Sequence, residues 1–64
     1  MSVLIPNKKY RLTILDYSEI IELVSLPRKN DPYYRWIHED GKRFGNREQD
    51  INKWIKFGNL ENIK

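Results

Sequence analysis

The fold turns on Asp31-Pro32-Tyr33-Tyr34-Arg35-Trp36-Ile37-His38-Glu39-Asp40-Gly41-Lys42-Arg43-Phe44. Its edges spell a short helix, because Asp31 can cap, Pro32 suits a first helical position and Gly41 falls just past the end. Its composition says strand. Tyr33, Tyr34, Trp36 and Ile37 are strand formers, and Asp40-Gly41 is the dipeptide that closes a two-residue hairpin onto Lys42, Arg43 and Phe44. The strand reading is preferred, with strands at about 33–39 and 42–45. Period-2 alternation then puts Tyr33, Arg35 and Ile37 on one face and Tyr34, Trp36 and His38 on the other. One face should be core, leaving the other as a binding platform.

Upstream, Pro27 to Pro32 is a loop, since two prolines bracket Arg28, Lys29, Asn30 and Asp31. Before it, Tyr10, Leu12 and Ile14 alternate with Arg11 and Thr13, the pattern of a half-buried strand over about 9–15. The run Glu19 to Leu26 admits two readings. Tyr17, Ile20, Ile21 and Val24 form a helical stripe, with Asp16 and Glu19 at capping-box spacing. A strand over 19–26 pairs at once with the preceding one through a short turn at Asp16 to Ser18, and that hairpin is preferred. Downstream, Asn46 can cap, Gln49 follows three residues later, and Ile51, Trp54 and Ile55 form an apolar stripe before Gly58. These features predict a helix over about 47–57, with Leu60 and Ile63 folding back as a tail. The whole of 1–64 reads as one α+β domain, a small curled sheet with one C-terminal helix.

A chain of 64 residues builds a single core, since a domain of that size buries only about 60% of its unfolded surface. It has no cysteine, so no disulfide or thiolate metal site adds stability, and a reducing, cytoplasmic setting is expected. The core must come from aromatic and β-branched residues, and Trp36 and Trp54 are assigned to it. Met1 to Ile5 is too short for a signal-peptide apolar region, and no run approaches the roughly 20 apolar residues of a membrane helix. No membrane association is expected. The net charge of +3 comes from 12 basic and 9 acidic residues interspersed along the chain. That balance permits nucleic-acid binding without demanding it.

Catalytic chemistry is poorly supplied. His38 is the one histidine, its neighbours Glu39 and Asp40 point different ways, and no second histidine stands at ligand spacing. Gly41, Gly45 and Gly58 are too scattered for a phosphate loop. No enzyme activity, metal or cofactor is expected. What remains is a mixture of bases and rings: Arg28, Lys29, Tyr33, Tyr34, Arg35, Lys42, Arg43 and Arg47. Arginine and lysine make phosphate contacts, and Tyr33 or Tyr34 can stack or pack on sugar.

The order strand, strand, loop, hairpin, terminal helix resembles small SH3-like barrels, including archaeal chromatin proteins that bind duplex DNA with a sheet face. That resemblance implies a DNA, RNA or protein ligand. Separately, Tyr34-Arg35-Trp36-Ile37 with Gly41, and Asp50-Ile51-Asn52-Lys53-Trp54-Ile55, are similar to the recognition and final helices of excisionase-type helix-turn-helix proteins. This second resemblance implies Arg35 in a DNA major groove. Abundant Lys, Ile and Asn suit a bacteriophage or mobile element. The expected function is a non-catalytic DNA-binding accessory or regulatory factor. The alternative is an inhibitor or adaptor that docks on a host protein through aromatic and arginine residues.

Overall fold

The computed structural model describes residues 4–63, so Met1 to Val3 of the opening apolar run lie outside the described residues. Five strands and one helix follow in the order β1 (Lys9–Ile14), β2 (Tyr17–Ser25), β3 (Tyr34–His38), β4 (Arg43–Asn46), α1 (Glu48–Lys56) and β5 (Leu60–Asn62). The strands form one antiparallel sheet ordered β4-β3-β2-β1-β5. The first four make a meander. β5 returns after the helix to pair with β1, Leu60 opposite Leu12.

Strand alternation sorts the sheet into two faces. Tyr10, Leu12, Ile21, Leu23 and Trp36 point inward and are buried with Ile51 of α1, which lies over that face. Phe44, Tyr34, Trp54, Ile55 and Leu60 pack around them, half-buried. Register puts Lys9, Arg11, Ile20, Glu22, Arg35, Ile37, Arg43 and Glu61 on the outward face. Trp36 is the hub: Tyr10 meets it edge-on at 6.0 Å, Phe44 stacks at 6.4 Å and Trp54 lies tilted at 6.2 Å. Each such pair adds to plain area burial.

Several expected boundaries and devices shift. The helical reading of residues 19–26 and 33–39 is overturned, and with it the helix-turn-helix resemblance, because their middles are ladder-paired strands, with Leu26, Tyr33 and Glu39 outside them, and α1 is the one helix among the described residues. The β1–β2 turn is Leu15-Asp16, not Asp16 to Ser18. The β3–β4 loop holds three residues rather than two: His38 N–H donates to Lys42 O, enclosing Glu39, Asp40 and Gly41. Gly41 takes φ +92°, the left-handed position such a loop gives to glycine. Asn46 does not cap α1. Its Oδ1 accepts the Trp36 Nε1–H at 2.9 Å, so the indole outcompetes the helix for it. Arg47 is the N-cap, and the Asp50 carboxylate accepts its backbone N–H at 3.4 Å. Arginine has no acceptor to return. Gly58 ends the helix at φ +72° as expected.

Candidate nucleic-acid interface

The loop between β2 and β3 is tightly closed. Arg28 and Asp31 exchange backbone hydrogen bonds at 2.7 and 3.0 Å, leaving Lys29 and Asn30 at an exposed tip. The Asp31 carboxylate reaches along the chain to Arg35, accepting from Nε at 2.9 Å and from Nη2 at 2.7 Å. Such a fork sets orientation as well as energy. The Arg35 guanidinium beside it holds the Asp31 carboxyl below the usual carboxylate range, helped by the Arg28 charge. Gly45 on β4 completes the seat, since a Cβ there would stand 2.8 Å from Arg35 Nη1.

Tyr33 is the centrepiece of this end. The Arg35 guanidinium lies 5.0 Å from its ring centroid and that of Arg47 lies 5.4 Å away. Arg47 Nη2 also donates to the Tyr33 hydroxyl at 3.3 Å. Two arginines thus address one ring, both in favourable cation–π range. Arg28, Arg35 and Arg43 meanwhile rim a surface cleft of about 440 Å³ lined in part by Val24, Asp31 and Phe44. Among the described residues, Asp31–Arg35 is the single ion pair made by any arginine or lysine. Among the described residues Arg28, Arg43 and Arg47 make no side-chain ion pair, although the Asp31 charge is felt at Arg28 and the Asp50 charge at Arg47.

Of the eight residues expected at the site, the fold gathers Arg28, Lys29, Tyr33, Arg35, Arg43 and Arg47 around the β2–β3 loop and the start of α1. It parts two from them. Tyr34 points to the inner face opposite Asn46 and packs on the core, and burial pushes its phenol pKa up. Lys42 lies beyond the other end of β3, next to the Glu39–Gly41 loop, where its backbone N–H donates to Asp40 Oδ1. Tyr33 is no free stacking platform either, because arginines already occupy its vicinity.

At that far end stands a constellation the sequence did not disclose. The Tyr17 hydroxyl donates to Glu19 Oε2, and Glu19 Oε1 lies 2.8 Å from His38 Nδ1. His38 in turn leans on Phe44 with centroids 4.5 Å apart. The hydrogen bond to Glu19 raises the Tyr17 phenol pKa above its ordinary value. Seeing this from sequence required the β2–β3 register, which places His38 beside Ile21 and one diagonal step from Glu19. The three residues tie the start of the central strand β2 to the end of β3. Among the described residues no group of three or more His, Asp or Glu side chains is placed to hold a metal ion. No helix among them is long and apolar enough to cross a membrane.

No protein-family model, curated protein or solved structure matches this chain.

Proposed function

We propose that this protein is a small SH3-like barrel that binds nucleic acid without catalysis, through the arginine-rich end of its sheet. The barrel reading draws support from the strand order, in which a four-strand meander is joined at β1 by a short β5 delivered by a helix. The carrying observation for function is the convergence of four arginines. Arg28, Arg35 and Arg43 line one cleft with Asp31, while Arg35 and Arg47 address Tyr33, so Arg35 joins a loop, two strands and a helix cap into one basic region. Concentrated, underpaired positive charge of this kind favours a polyanion and makes its binding salt-dependent. Arg35 is held by Asp31, so it stiffens the site while Arg28, Arg43 and Arg47 meet phosphate.

Fluorescence anisotropy with labelled duplex and single-stranded DNA tests this at two salt concentrations. Binding is expected at low salt, weakening by about 0.9 in logarithmic slope for each phosphate contact on duplex. Replacing both Arg28 and Arg43 by Glu should flatten that slope by about two contacts and weaken binding at least tenfold, whereas Lys42→Glu should leave the slope nearly intact. Absence of binding to either DNA at low salt would overturn the reading.

A further inference from the structure

At the tip of the β1–β2 hairpin, Leu15 is 94% exposed and adopts φ +57°. The first position of a two-residue hairpin with positive φ belongs to glycine. A leucine there carries left-handed strain of about 1 kcal/mol and leaves apolar surface in water. Neither serves the fold, since Leu15 is no part of the core cluster. Ile14, Tyr17 and Phe57 are exposed as well. Tyr17 faces Ile14 in register, and two hydrogen bonds between Thr13 and Asn59 draw the turn after α1 alongside the hairpin. This apolar end is acidic. Asp16 shares the loop with Leu15, while Glu19, Glu39 and Asp40, against the single full cation Lys42, line a hollow of about 360 Å³ with Tyr17 and His38.

A surface complementary to this tip lies elsewhere on the same molecule, between the β2–β3 loop and β4. There the 440 Å³ cleft is lined by Val24 and Phe44 and rimmed by Arg28, Arg35 and Arg43, of which Arg35 is already paired with Asp31 and Arg28 and Arg43 are left to meet a partner's carboxylate. We infer that copies of this chain associate head to tail: the Leu15 tip of one copy enters the arginine-rimmed cleft of the next, with Asp16 and its neighbouring carboxylates set against the arginines. The contact pairs apolar with apolar and acid with base, and an anionic lipid surface would instead be repelled by those carboxylates. Because the two surfaces differ, the association is heterologous, and every copy added leaves one tip and one cleft free. A hairpin tip is a small contact, so each junction is weak.

Sedimentation velocity of the full chain tests this. The weight-average mass is expected to rise from that of a monomer at about 10 µM to beyond that of a dimer at about 1 mM, and less so at high salt. Leu15→Ser and the double replacement Arg28→Gln with Arg43→Gln should each remain monomeric, with circular dichroism verifying the fold. Leu15→Gly, which also relieves the backbone, is the companion for the tip. An equimolar mixture of the tip and cleft variants should form one-to-one dimers and nothing larger, because one intact tip meets one intact cleft. A wild-type chain monomeric at about 1 mM, association that survives Leu15→Ser or Leu15→Gly, or a mixture that stays monomeric would each overturn the inference.

Discussion

The two ends of this sheet spend their side chains in opposite ways. At the Ser25 end of β2, charge is organised: Asp31 grips Arg35, Gly45 clears room for it, and Tyr33 lies between Arg35 and Arg47. At the Tyr17 end, apolar side chains stand in water on a strained turn, among carboxylates. The strands between them share a single core built on Trp36. A small domain has little stability in reserve, so features that do not serve its core are the places to test for contact with other molecules.

The largest expected effect erases the contrast altogether. Trp36→Ala removes the hub on which both ends depend, costs about 3 to 5 kcal/mol and also strands the Asn46 amide, whose Nδ2 is already buried without a partner. Loss of the cooperative thermal transition is the expected outcome. Trp54→Ala, at a half-buried ring, should lower the melting temperature yet leave a folded domain; equal damage from both would place the hub elsewhere.

A smaller effect of opposite sign sharpens the difference between the ends. Leu15→Gly releases the left-handed strain and should stabilise the domain by about 1 kcal/mol, a rise of roughly 4 to 8 °C in melting temperature for a domain this size. A fall in Tm would show that Leu15 packs on the fold in solution.

The smallest effect concerns acid. The Asp31 carboxyl titrates below its ordinary value because Arg35 favours its charged form. Its contribution is therefore fully present above the ordinary carboxylate pKa and is lost as pH falls through the depressed one. Chemical shifts of Arg35 Nε–H should report the pair intact at about pH 5 and released only in stronger acid. Release at or above the ordinary aspartate value would mean the fork does not hold in solution.

Much of the fold was legible because local pattern and tertiary role agree there. Tyr10, Leu12 and Ile14 alternate on β1, and Ile51, Trp54 and Ile55 mark the helix face, with Gly58 ending it. Where a side chain had two suitors, sequence misled: Asn46 looks like a cap until the Trp36 indole is beside it. β5 was illegible as a strand, since Leu60-Glu61-Asn62 has no pattern of its own and pairs only because β1 offers a free edge. The site was half legible. Arg28, Arg35, Arg43 and Arg47 are visible in composition as candidates, but the distance of Lys42 from that cluster and the joining of Glu19 to His38 depend on register. A shift in the β2–β3 pairing between Leu23 and Ser25 helps set that register, and no single residue announces it.

The return of β5 to β1 also bears on how the molecule is made. Leu12 and Leu60 are neighbours in the sheet though they lie near opposite ends of the described chain. The β1–β2–β3–β4 meander can pair strand by strand as it leaves the ribosome, but the edge of β1 stays unpaired until residues 60–62 have emerged. Closing so distant a contact is slow compared with forming a hairpin, and an open strand edge invites other chains meanwhile. A chain shortened to end at Asn59 should keep the β1 edge protease-sensitive, and restoring residues 60–62 should close it.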